Sequence, residues 1–311
     1  MSSLKNKIMR KLFIVITTLF VAISSFAQDT TDVSKMLENE LKNSDTNKTI
    51  YTTATFKTTR LIDGHSVENT APGVLDFKIS HRFGTIGGAN GGAYNFFGLD
   101  NATMRMGFDY GLSNTFMIGI GRSTSFKTFD AFFKWKILRQ STGKIKMPVT
   151  LSYVPTIGII SFRDTAIYKS FSNRLNFTHQ LLIGRKFSEG LSLQFMPTVI
   201  HRNKPVDSGP NNVFAVGFGG RQKVSKRTSF NAEYYYQIPK YRVPGSTNVL
   251  SLGFDIETGG HVFQLHITNS SSMTESSFIT GNKGSWGDGE ILFGFNISRV
   301  FNIGKKSTKE W

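Results

Sequence analysis

The chain has 311 residues, with 37 Lys and Arg against 21 Asp and Glu, 28 Phe, 30 Gly and no Cys. The lack of Cys excludes disulfides and a lipoprotein anchor. The chain is 13% aromatic with a mean hydropathy of only −0.17, and no segment beyond the N-terminus offers the roughly 18 consecutive apolar residues of a membrane helix.

Lys5, Lys7, Arg10 and Lys11 precede an apolar stretch from Leu12 to Ile23, and Ser25-Phe26-Ala27 puts small residues at the minus-three and minus-one positions of a cleavage site. That order predicts a signal peptide over residues 1–27, since its apolar core is too short for roughly 30 Å of hydrocarbon. The formal charge of +16, less those four basic residues, leaves about +12 on a mature chain starting near Gln28. An exported chain meets no nucleic acid, so the surplus points to anionic envelope lipid, with lipopolysaccharide phosphates as the sharper reading.

Residues 28–73 form an N-terminal segment expected in the periplasm. Val33, Met36, Leu37 and Leu41 fall at helical spacing after Asp32, which reads as a short helix or a disordered leader. Residues 50–62 are Thr-rich and extended, and an inward fold of 28–73 as a plug stays open at this stage.

From Val74 the pattern has a period of two. Leu75, Phe77, Ile79 and Phe83 alternate with Asp76, Lys78, Ser80 and Arg82. Met104, Met106, Phe108 and Tyr110 do the same against Arg105 and Asp109, as do Phe129, Phe133 and Trp135 against Asp130, Lys134 and Lys136. A helix would scatter those charges around its circumference. Strands are predicted near 74–83, 102–110, 115–123, 127–138, 147–160, 173–187, 190–202, 212–224, 228–239, 248–258, 261–269 and 289–303. These lengths suit tilted membrane strands of about 9–11 residues.

With the first strand starting in the periplasm, the periplasmic turns are mostly short and the outer connections, notably 84–101, 161–172 and 270–288, are long and rich in Gly, Ser and Asn. The expected fold is all-β, an antiparallel up-and-down transmembrane barrel of about twelve strands over 74–303. A tail follows over 304–311. The last strand, with Ile291, Phe293, Phe295, Ile297 and Phe301 on one face, resembles the closing strand read by barrel-assembly machinery. Phe301 or the terminal Trp311 would supply that signal. A secreted β-sandwich would need the Phe faces to meet each other, and strand length and loop asymmetry speak against it.

Three segments carry a resemblance: 54–62 (Ala-Thr-Phe-Lys-Thr-Thr-Arg-Leu-Ile) followed by 64–68 (Gly-His-Ser-Val-Glu), 73–84 (Gly-Val-Leu-Asp-Phe-Lys-Ile-Ser-His-Arg-Phe-Gly), and 98–100 (Gly-Leu-Asp). The chain resembles a barrel family of Bacteroidota catalogued as a domain of unknown function. The resemblance spans nearly the whole mature chain and implies an outer-membrane barrel, with no activity or catalytic residues to carry over.

Sites for chemistry are few. The six His show no zinc spacing, and His261 and His266 fall on opposite faces of one strand. His65-Ser66 and Ser80-His81 are adjacent pairs that point apart on a strand, and an esterase would need them in hydrogen-bond reach. The Gly84–Gly98 run lacks the following helix of a phosphate loop, and Trp286-Gly287-Asp288-Gly289-Glu290 reads as turn residues rather than a calcium site. No enzyme activity and no cofactor are expected.

What remains is the polar face. Asp76, Lys78, Arg82, Arg105, Asp109, Asp130, Lys134, Lys136, Glu233, Asp255 and Glu257 share the phase opposite the aromatics and are expected to line the lumen, because charge cannot face lipid cheaply. Their near balance of sign suits pairing across a narrow bore. The expected function is passage or binding of a small solute across the outer membrane, with a non-conducting structural or adhesion barrel as the alternative.

Overall fold

The computed structural model describes residues 48–304, apart from Asn90, Thr165, Val206 and Asp207. The expected signal peptide, the helical spacing over 33–41 and the tail with Trp311 lie outside the described residues. The chain divides into a unit over Met1–Thr49 and a barrel unit over Ile50–Trp311.

The period of two becomes twelve strands. They are β1 Val74–Thr85, β2 Ala102–Gly111, β3 Phe116–Ser123, β4 Thr128–Leu138, β5 Thr150–Ile160 and β6 Leu175–Lys186. The second half comprises β7 Leu191–Arg202, β8 Asn212–Lys223, β9 Thr228–Gln237, β10 Val249–Thr258, β11 His261–Thr268 and β12 Leu292–Asn302. Each pairs antiparallel with its sequence neighbours, and β12 closes on β1, so the sheet has no edge.

The strand ends differ from expectation by a few residues for local reasons. β5 starts at Thr150 rather than 147 because Pro148 lacks the N–H that the ladder needs. β12 starts at Leu292 rather than 289 because Gly289 has φ +74° in a turn. The expected turn 139–146 holds a short strand, Ser141–Gly143, with Ser141 bridging Met147.

One face of every strand meets lipid. Phe108, Ile120, Trp135, Phe218 and Phe254 lie 45–60% exposed, which would be unfavourable in water and is the expected state in hydrocarbon. The exposed Phe content of a chain with low mean hydropathy is thereby accounted for. The other face is buried, and what buries it is the chain itself.

Candidate functional site

Residues 54–70 enter the bore and turn back as a hairpin. Arg60 bridges His65, the Leu61 N–H donates to the Gly64 carbonyl at 2.9 Å, and the Ser66 N–H donates to the Thr59 carbonyl at 3.0 Å. The Thr-rich run adopts this form because its hydroxyls close local bonds, as Ser66 Oγ does onto the Thr58 carbonyl at 2.5 Å. Hydrogen bonds from the walls then fix the hairpin, and they come from nine of the twelve strands among the described residues.

Two wall residues hold the hairpin in opposite senses. The Lys134 ammonium on β4 donates to the carbonyls of Thr59, Ser66 and Glu68 at 2.9, 2.8 and 2.9 Å. The Glu233 carboxylate on β9 accepts the N–H groups of Ile62, Asp63 and Gly64 at 3.0, 2.8 and 2.9 Å. Gly64 is required there, since a Cβ at that position would run into the Tyr235 hydroxyl and Glu233 Oε1. At the tip, Asp63 takes Arg82 Nη2 and Ser251 Oγ, both at 2.7 Å. Gln264 and Asn296 donate to the carbonyls of Leu61 and Ile62 at 2.6 and 2.9 Å.

The hairpin also has an apolar side. Phe56, Leu61 and Val67 join Met117, Phe132, Val154, Leu182, Met196 and Ile200 in one buried cluster with Phe278 and Ile279. Phe278 and Ile279 belong to α1, Glu275–Thr280, in the long connection between β11 and β12, which folds into the barrel. The Phe278 ring meets Tyr235 edge-on at 5.0 Å, and Gln237 Nε2 donates to the Ile279 carbonyl at 2.6 Å. α1 and the hairpin touch through Arg60, whose Nη1 lies 2.7 Å from Glu275 Oε1 with both groups buried.

The eleven candidate residues divide by depth. Asp76, Lys78, Arg82, Arg105, Asp109, Asp130, Lys134, Glu233 and Asp255 are buried. Lys78 is paired with Asp76 at 2.5 Å and with Asp109 at 2.6 Å, and Arg105 with Asp130 at 2.5 Å, while Gly121 leaves room for the Arg105 guanidinium. Asp255 accepts from Gln264 at 2.9 Å. Lys136 is half-buried, 4.0 Å from Glu68, and Glu257 stands exposed at the mouth, paired with Lys57. The sequence reading did not include Arg60, Asp63 and Glu275. No strand alternation marks them, and a lone charge in a Thr-rich run or a Ser-rich loop carries no local signal.

Three of the groups weighed for chemistry are engaged elsewhere. His65 lies 3.4 Å from both Arg60 Nη2 and Glu275 Oε1, and His81 stacks on Phe295 on the outer face. Glu290 accepts the Ser285 N–H at 3.1 Å. Among the described residues no three His, Cys, Asp or Glu side chains are grouped to hold a metal ion.

Beside the hairpin, at the end of the barrel with the short turns, a cavity of about 660 Å³ remains open. Phe56, Thr58, Asn69 and Thr70 form its hairpin side, and Asp76, Glu257, His261 and Val262 belong to the wall.

Three solved structures are similar to this chain: the NanC porin at 10% identity, covering 73% of this chain and 98% of its own with a TM-score of 0.46, the KdgM porin at 9%, 73%, 99% and 0.41, and the COG4313 outer membrane channel from Pseudomonas putida F1 at 11%, 76%, 98% and 0.47. A search of curated proteins finds no match. The family model described as membrane bound beta barrel domain (DUF5777) matches residues 56–301, a range that begins inside the hairpin and ends in β12. With its edgeless antiparallel barrel and lipid-ready outer face, the chain belongs to this membrane-bound β-barrel domain family and takes the architecture of the outer membrane.

Proposed function

We propose that the protein is an outer-membrane barrel closed at rest by its own chain, handling a small solute that enters the vestibule at the short-turn end. The observation that carries this reading is the hairpin over 54–70, which fills the bore and leaves the cavity of about 660 Å³ beside it. A pocket of that size falls in the range of small-molecule sites. Passage proper belongs to a state in which the hairpin has moved. The short turns face the periplasm in this reading, so the vestibule is met from inside the cell envelope. The second reading, a structural or adhesion barrel, draws on the same closure together with the long connections at the opposite end.

The test is conductance of purified protein in a planar bilayer, comparing the full chain with a variant lacking residues 55–67, each first checked for the heat-dependent gel shift of a folded barrel. The expected result is a silent parent and discrete conductance steps in the variant. A parent that conducts steadily overturns the closure. A folded variant as silent as the parent overturns the hairpin as the closing element and leaves the closure to α1 and the wall.

A further inference from the structure

We infer that the lipid-facing wall over β2–β5 binds the phosphorylated glycolipid of the outer leaflet, the lipid A part of lipopolysaccharide. Arg122 takes a phosphate, and an acyl chain fills the groove below it. The inference rests on the orientation proposed above, in which the long connections face outward, and not on the solute. Among the described residues the charged side chains on the lipid-facing phase of the strands are Arg122, Arg185 and Arg299, each toward a strand end with its guanidinium over a Phe ring. A charge on that phase is costly unless it reaches the interface. Arg185 and Arg299 stand at the short-turn end, and Arg122, next to last in β3, stands at the other. Its guanidinium lies 5.3 Å from the centre of the Phe129 ring and takes no hydrogen bond or ion pair among the described residues. Its fork of donors is therefore open to a ligand.

Below Arg122 the wall is hollow. Phe108, Ile120, Ala131 and Ile157 stand opposite one another across β2–β5, and the next row toward the rim is Met106, Arg122, Phe129 and Ile159. Ala131 is the small member of a β4 face that otherwise presents Phe129, Phe133 and Trp135. The ring it lacks leaves a groove of about 380 Å³ lined by both rows. An acyl chain packed there brings the phosphate-bearing end of its lipid to Arg122. The connections above β2–β5, over 86–101, 124–127 and 161–174, hold Lys127, Arg163, Lys169 and Arg174 against Asp100 and Asp164. The Asp164 carboxylate already accepts the Ala166 and Ile167 N–H groups at 3.0 and 3.1 Å. Ser161 Oγ donates to the Lys127 carbonyl, which ties Lys127 to the connection that carries Arg163. Surplus positive charge above an apolar groove complements a phosphate on an acylated anchor. A second copy of the chain is a poorer match, since among the described residues the lipid-facing phase offers Arg122 no carboxylate.

The experiment is native mass spectrometry of the full chain, delipidated in a non-ionic detergent and titrated with bisphosphorylated lipid A, dephosphorylated lipid A and phosphatidylglycerol. Bisphosphorylated lipid A is expected to bind tightest, and Arg122→Gln to weaken it by about tenfold or more. Arg122→Lys should fall between, and Arg185→Gln, at the opposite rim, should bind as the parent does. Ala131→Phe fills the groove and should weaken binding with the headgroup contact intact. Each variant is first checked for the heat-dependent gel shift, and Arg122→Gln decides the case if Ala131→Phe fails to fold. Equal binding of dephosphorylated lipid A overturns the phosphate contact, and binding that survives Arg122→Gln overturns the site. Undiminished binding in folded Ala131→Phe overturns the groove as the acyl seat. Tighter binding of phosphatidylglycerol overturns the glycolipid and, with it, the orientation. A dimer in place of lipid adducts overturns the lipid site and makes the groove a protein interface. None of these results touches closure by the hairpin, which the conductance measurement tests.

Discussion

Lys134 shows how a single side chain acts on the bore. Its ammonium is fully buried and has no carboxylate within ion-pair distance among the described residues, yet its three bonds satisfy three carbonyls on both arms of the hairpin. Lys134→Met keeps the length of the side chain and removes the donors, leaving the Ser66 and Glu68 carbonyls without that partner at about 1–3 kcal/mol each while the Thr59 carbonyl keeps the Ser66 N–H, partly offset by the loss of a desolvated charge. Hairpin docking should weaken by on the order of 2–4 kcal/mol by the same reckoning. Amide hydrogen exchange over residues 58–67 is expected to quicken by about 30-fold or more while the strand amides hold their protection. Unchanged exchange in the hairpin would show that Lys134 does not hold it.

Among the strands, depth in the membrane decides which aromatic positions matter. Phe293 has the lipid-facing phase that the alternation assigns it, but it is the second residue of β12 and lies close to the rim. An Arg there reaches the interface, where the cost is about 0–1 kcal/mol. Phe254 lies midway along β10 and is 47% exposed, so Phe254→Arg places a charge near the midplane at about 2–4 kcal/mol. Assembly yield, measured as the fraction showing the heat-dependent gel shift, should fall much further for Phe254→Arg than for Phe293→Arg. Equal yields would refute this placement of the strands in the bilayer. The inward position Asn296 is no silent comparison, since its amide holds Arg82 at 3.0 Å and the Ile62 carbonyl at 2.9 Å.

For the molecule as a whole, the Arg60–Glu275 pair joins the two pieces of chain that close the bore, one entering from each end. Removing one member of a buried pair leaves the other as an uncompensated charge, typically at 3–5 kcal/mol. Because the two pieces share that contact, loosening one should loosen the other. Arg60→Met is therefore expected to raise cleavage of the connection over 269–291 by an added protease, although residue 60 itself lies deep in the barrel. An unaltered cleavage rate in a folded variant would show that hairpin and α1 close independently. The buried pairs Arg105–Asp130 and Lys78–Asp109 belong to the wall and should survive the loss of Arg60.

The sequence alone determined the wall. Alternation with a period of two is a local property, and a lipid-facing Phe beside an inward Asp or Lys reports its strand and its phase within a few residues, so twelve strands and their faces could be read from the pattern. The charged candidates were legible for the same reason, and their depth followed from the strands that carry them. What fills the bore was decided only by tertiary structure. Arg60 and Glu275 are 215 residues apart and Ile62 and Glu233 are 171 apart, and a bond of that span leaves no periodic trace at either partner. Residues 54–62 and 64–68 carried part of the family resemblance, yet residues 50–62 read as an extended Thr-rich stretch, and an inward fold of 28–73 stayed open. Beyond the bonds the hairpin makes with itself, its backbone N–H and C=O groups take partners from the closed barrel, which brings Lys134 and Glu233 to one hairpin from different strands.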